Sequence, residues 1–225
     1  MEDIDQRVRA IVGKELSCAA HNLDHVERVY RLCLVLAEGE RDLDLEILKL
    51  AALLHDIARV REDRDDSGQT DHAVLGAEMA GKILRDLDYP PERATRVAEC
   101  ITTHRFRSGK APQTKEAQIL FDADKLDVIG AIGVARSFML AGEYGEKLYS
   151  DEPLADYVAH NLGGGKPLGR VKQVREHTSN LEYELKLKHI PERLYTSKAR
   201  QIAADRVAFM DRFFERLKLE ITGQC

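Results

Sequence analysis

The stretch Leu50-Ala51-Ala52-Leu53-Leu54-His55-Asp56-Ile57-Ala58 constrains this chain more than any other. Seven of its nine residues are apolar, a pattern that buries a helix nearly all round. His55 and Asp56 sit inside it. A buried carboxylate is strongly unfavourable unless a hydrogen bond, an opposite charge or a metal compensates it. No Lys or Arg lies within the run, and Arg59 is the nearest. His with Asp is a ligand pair for a divalent cation. The alternative at this point is a buried His–Asp hydrogen bond. The rest of the chain reads as a helical cage that brings further ligands to this pair.

The net charge of −5 gives no global basic field, so long nucleic acid is not an expected partner. A small phosphorylated substrate needs only local positive charge and stays open. No stretch approaches the roughly 20 apolar residues of a membrane span. The N-terminus, Met1-Glu2-Asp3-Ile4-Asp5, has no apolar signal core. A cytoplasmic protein with no membrane partner is expected. Cys18, Cys33, Cys100 and Cys225 are widely spaced. Cys33 and Cys100 fall on apolar helical stripes and read as reduced core residues.

Taken in order, Ile4, Val8, Ile11, Val12 and Leu16 recur at helical spacing. Asp24 with Glu27 forms a capping box for a second helix ending near Gly39. Its inward face holds His25, Val29, Leu32 and Leu36, while His21 precedes the cap and faces solvent. The third helix runs through His55-Asp56. A polar loop, Arg61 to Thr70, follows. Asp71 caps a fourth helix whose inward stripe is His72, Gly76, Met79, Ile83 and Leu87, with Gly76 admitting another backbone. Pro91 suits the first turn of a fifth helix, where Ala94, Val97, Ile101 and His104 share a face. Gly109 and Pro112 mark a loop.

A long sixth helix is expected from about Glu116 to about Gly142. Ala117, Leu120, Phe121, Asp124, Val128, Ala131 and Ala135 form its apolar face, so Asp124 points inward and Asp122 and Asp127 lie to either side. Gly130 and Gly133 belong inside such a helix only where something packs tightly. Gly163-Gly164-Gly165-Lys166-Pro167 is not a phosphate-binding P-loop, which needs Ser or Thr after the Lys. It reads as a flexible basic surface loop with Lys166, Arg170, Lys172 and Arg175. Helices near Leu181–His189 and Ser197–Glu220 close the chain. The last buries Ala199, Ile202, Ala203, Phe209, Met210, Phe213 and Leu217. With no useful strand alternation, the chain reads as all-α, a single-domain multi-helix bundle.

Separate helices thus direct metal-capable groups inward: His25, His55 with Asp56, His72, His104 and Asp124. Buried carboxylates at 56 and 124 repel unless a cation or shared proton lies between them. These residues carry a resemblance. His25-Val26-Glu27-Arg28-Val29, Leu53-Leu54-His55-Asp56-Ile57 and Asp124-Lys125-Leu126-Asp127 resemble the ordered H…HD…D signature of the HD-domain superfamily. The resemblance covers most of the chain. Tyr195-Thr196 through Arg206 and Phe209-Met210 resembles the small stand-alone branch, similar to nucleoside triphosphate pyrophosphohydrolases. It implies one HD domain over residues 1–225, with a core at about 20–142 and a C-terminal helical extension at about 177–220. It also favours Asp124, which precedes Lys125, as the late ligand over Asp122. Some members carry a Glu-Asp pair three and four residues after the HD aspartate. Here Arg59 and Val60 stand there, and Glu62 and Asp63 are out of register.

The resemblance implies a divalent-metal-dependent phosphohydrolase acting on nucleotides. His25, His55, Asp56 and Asp124 are the expected metal ligands, and a metal-activated water is the expected nucleophile. His72 and His104 contact phosphate, protonate the leaving group or bind a second metal. Lys125 is a phosphate contact. Mn²⁺ or Mg²⁺ is expected, and Fe, Ni²⁺ or Zn²⁺ also suits nitrogen and oxygen ligands. The alternatives are a phosphodiesterase on cyclic or linear nucleotides, an HD-type di-iron oxygenase and a non-catalytic nucleotide-binding protein. A homodimer remains open.

Overall fold

A computed structural model describes residues 4–16, 23–65, 67, 69–105, 111–167 and 169–224. Cys18, His21, Gly109 and Cys225 lie outside them. Among the described residues the fold is all-α, with no β-strand and one isolated bridge between Leu162 and Val171. The chain divides into two compact units, Met1–Asp124 and Lys125–Cys225.

The first unit is built on α3 (Leu45–Leu54), which packs against α1 (Ile4–Glu15), α2 (Leu23–Ala37) and α6 (Pro91–Thr103). Every residue from Leu50 to Ala58 is buried. Asp44 starts α3 by accepting the Ile47 N–H at 3.3 Å. The helix stops earlier than its composition predicts. Leu54 is its last residue, and residues 55–58 form tight turns, with the Ile57 N–H on the Leu54 carbonyl and the Arg59 N–H on the Asp56 carbonyl. The His-Asp doublet therefore sits on a turn at a helix C-terminus, a place where the last carbonyls need new donors. A short α4 (Arg59–Asp63) occupies part of what reads as loop.

Asp71 caps α5 (His72–Asp86) through the Ala73 N–H, and Pro91 opens α6, both as expected. Asp24 is not a cap: α2 already begins at Leu23, so Asp24 lies within its first turn. The buried stripe of α5 is Ala73, Ala77, Ala80 and Leu84 beside His72 and Gly76. Met79, Ile83 and Leu87 are half-buried, and Gly76 lies against Ile101 of α6. A methyl added at Gly76 would stand 3.5 Å from the His55 carbonyl, the backbone approach its sequence suggests.

The expected sixth helix is two helices, α7 (Lys115–Leu126) and α8 (Gly130–Tyr144). Ile129 is extended and Gly130 has φ +77°, a conformation suited to glycine. The apolar stripe drawn through both breaks with them: Ala131 and Ala135 are exposed and Val128 is half-buried. In the second unit the break is held by Arg206, which donates to the Leu126 carbonyl, and by Arg136, 2.9 Å from Asp127. Asp127 is thereby an ion-pair partner.

The remaining elements of that unit are α9 (Leu154–Asn161), α10 (Ser179–Leu185), a 3-10 turn at Leu187–Arg193 and α11 (Ser197–Ile221). No element is expected where α9 lies, and α10 is shorter than expected. Tyr157, Leu162, Leu181 and Leu185 form a core cluster. On α11, Ala199, Ala203, Met210 and Phe214 are buried while Phe209 is exposed. Phe214 stacks on Tyr183 at 4.9 Å. The basic loop is tied down: the Gly163 N–H donates to Arg170, the Lys172 N–H to Asn161, and Asn161 Oδ1 accepts from Gln173.

Candidate metal centre

Four histidines of the first unit converge on one carboxylate. His25 comes from the first turns of α2, His55 and Asp56 from the turn after α3, His72 from the first residue of α5, and His104 from the C-cap of α6. All five are buried. Asp56 divides its oxygens between them. Its Oδ2 lies 3.6 Å from His25 Nε2 and 3.8 Å from His55 Nε2. Its Oδ1 lies 3.4 Å from His72 Nε2 and 3.7 Å from His104 Nε2. Asp124 closes the first group, with Oδ1 3.4 Å from His25 Nε2.

The hydrogen bonds behind the rings fix which nitrogen faces inward. His55 Nδ1–H donates to the Ala52 carbonyl at 2.8 Å, and His104 Nδ1–H to the Ile101 carbonyl at 2.6 Å. Carbonyls only accept, so both rings carry their proton on Nδ1 and present a bare Nε2. His72 Nδ1 lies 2.7 Å from Glu62 Oε2. The Nε2 atoms then meet in pairs, His25 with His55 at 3.3 Å and His72 with His104 at 3.3 Å.

Burial disfavours the protonated form of His55 and His72. Burial pushes His55 down to about 4 and also lowers His72. Burial alone would raise Asp56, but the surrounding histidines hold it well below the usual carboxylate range. A buried anion ringed by imidazole lone pairs fits a divalent cation. His25, His55 and Asp56 could hold one ion, and Asp56, His72 and His104 another.

Asp122 and Asp124 are both on α7, and burial ranks them opposite to the helical stripe: Asp122 is fully buried and Asp124 is half-buried. The C-terminal half of α7 is enclosed nearly all round, so periodicity could not rank them. Lys125 is half-buried on α7, directly after Asp124.

Glu62, out of register in the sequence, lies against the centre. Its Oε1 accepts from Arg105 Nη1 at 2.7 Å, and its Oε2 lies 3.1 Å from Arg59 Nη1. A helix running on through the doublet would aim residue 62 elsewhere. The turn at 55–58 resets the register, and no local signal announces that turn.

Residues 22–129 match the model of the HD domain. An uncharacterized protein of Bacillus subtilis strain 168, YpgQ, is 32% identical over 99% of this chain and 94% of its own.

The chain belongs to the HD-domain family.

Its HD match encloses His25, His55, Asp56, His72, His104, Asp124 and Lys125. Among solved structures, the YpgQ complex with ADP superposes with a TM-score of 0.71 at 27% identity, covering 96% of this chain and 94% of that one. An HD-superfamily hydrolase from Bacillus thuringiensis superposes with the same TM-score, 0.71, at 26% identity over 98% and 97%. Among the described residues of this HD-domain chain, no helix is long and apolar enough to cross a membrane.

Proposed function

We propose that this chain is a divalent-metal-dependent phosphohydrolase that cleaves phosphoanhydride or phosphoester bonds of nucleotides. The observation that carries the reading is Asp56, one oxygen toward each of two histidine pairs, with the outer nitrogens of His55, His72 and His104 engaged elsewhere. YpgQ in complex with ADP supports a nucleotide as the substrate class.

In this reading His25, His55, Asp56 and Asp124 hold the metal, Mn²⁺ or Mg²⁺ by preference. Bound there, the cation neutralises phosphate charge and lowers the pKa of a water toward about 7. The chain's own groups do the rest. The Ala52 and Ile101 carbonyls keep the His55 and His104 Nε2 atoms unprotonated. His72 and His104 each offer an Nε2 that takes a proton or a second ion. Lys125 follows Asp124 directly and is assigned a phosphate contact on that adjacency. Buried walls around Asp56 limit water and strengthen each of these interactions.

The test is a panel of nucleoside mono-, di- and triphosphates incubated with Mn²⁺, with phosphate and pyrophosphate separated afterwards. Release of either product, abolished by a chelator, is expected. Tight nucleotide binding with no turnover in any divalent metal would replace this reading with a non-catalytic one.

A further inference from the structure

Three of the converging histidines anchor the outer nitrogen, and they do so in two ways. His55 and His104 stand at helix C-termini, so each finds a carbonyl three residues back, Ala52 or Ile101. His72 cannot do this. It is the first residue of α5, immediately after the cap Asp71, and no helical carbonyl precedes it. A ring without an outer acceptor does not choose between its two neutral tautomers. Arg59 makes the choice harder, because its Nη1 donor lies 3.3 Å from His72 Nδ1. Left alone, that donor would favour a bare Nδ1 and put the ring proton on Nε2, facing Asp56.

We propose that Glu62 is a positioning residue: gripped by Arg59 and Arg105, it takes the Nδ1–H of His72 and so presents the bare Nε2 to Asp56. The distances support this. Glu62 Oε2 is 2.7 Å from His72 Nδ1, closer than Arg59. Its other oxygen is held by Arg105 at 2.7 Å. Burial alone would raise the Glu62 carboxyl, but the hydrogen bonds of His72 and Arg105 lower it instead, so it remains an acceptor. A carboxylate behind a metal-facing histidine fixes both tautomer and ring direction. Glu62 thus supplies from α4 what the start of α5 cannot supply from its own backbone.

The inference rests on the metal-dependent reading above, but its first readout does not. In the metal-free full chain, ¹⁵N spectra of the imidazoles report the His72 tautomer. The parent is expected to carry the proton on Nδ1, and Glu62→Ala to move it to Nε2. Glu62→Gln keeps an acceptor oxygen and is expected to keep the parent tautomer. Titration with Mn²⁺ alone should show the affinity of an ion held by Asp56, His72 and His104 weakened about 10–100-fold in Glu62→Ala, the usual cost of losing such a partner. The same substitution made in His72→Ala should cost nothing more, because its effect passes through His72. An unchanged tautomer in folded Glu62→Ala, or a full additional loss in the His72→Ala background, would overturn the proposal. If the parent takes up no Mn²⁺, the phosphohydrolase reading fails, and the tautomer alone decides Glu62.

Discussion

His72 Nε2 and His104 Nε2 face each other at 3.3 Å, and neither ring has a proton to put between them. The Nδ1–H of His104 is given to Ile101 and that of His72 to Glu62. Two lone pairs at that distance beside Asp56 Oδ1 are repulsive unless a cation or an added proton is shared. This contact makes a second ion or a proton relay the natural use of the pair.

For His104→Ala the expected outcome is a larger loss of rate than of metal. With one ion at His25, His55, Asp56 and Asp124, metal analysis should still find about one per chain, and kcat should fall by about 10²-fold or more, as for a lost acid–base group. With a second ion at Asp56, His72 and His104, metal content should halve. Unchanged rate and unchanged metal would make His104 an ordinary core residue.

Asp124→Asn should lower turnover by at least about 100-fold, beyond the roughly 10–100-fold typical of a group one step removed from a metal. Asp124 Oδ1 is 3.4 Å from His25 Nε2. Asp122→Asn should cost less in rate and more in stability, because Asp122 is fully buried. Paired measurements of rate and melting temperature separate the two, and the reverse ranking would move the ligand to Asp122.

The break between α7 and α8 makes a stability prediction with an internal control. A methyl at Gly133 would lie 2.4 Å from the Val128 carbonyl oxygen, which is backbone and cannot step aside. Gly133→Ala should cost about 1–3 kcal/mol, as overpacking does. Gly142 is on the same helix with nothing within 4 Å. Gly142→Ala should be neutral or stabilise by up to about 1 kcal/mol. Urea unfolding of the two variants reads the difference in sign.

Acid sensitivity should trace in part to the second unit. His177 Nε2 lies 2.9 Å from Glu182 Oε2, and Lys186 Nζ lies 2.8 Å from it. Burial alone would raise Glu182, but His177 and Lys186 hold its carboxyl below the ordinary range. A depressed native pKa gives stability that is present above the unfolded carboxylate value of about 4.3 and lost as pH falls through the native one. Melting curves from about pH 6 to about pH 3 should show a steeper decline in the parent than in Glu182→Gln. Parallel declines would remove Glu182 from the account.

Helix stripes and caps made much of the fold legible: Asp71 and Pro91 open the helices assigned to them, and His55, Asp56, His72 and His104 are buried together as their stripes indicate. What periodicity could not show was where helices stop. Leu54 ends α3 inside the buried run from Leu50 to Ala58, and Leu126 ends α7 because Gly130, Arg206 and Arg136 favour a turn. Of those partners, Arg206 is 80 residues from Leu126 in sequence. The same limit hid Glu62, whose approach to His72 depends on the turn at 55–58.

Turnover is proposed to depend on a metal organised by Asp56. The direct measurement is metal content and nucleotide hydrolysis in the purified parent, His55→Ala and Asp56→Ala, with circular dichroism confirming helical folds. Metal and activity are expected in the parent, and both should be lost in the two variants. Variants that fold, keep a full metal complement and hydrolyse nucleotides at the parental rate would contradict it.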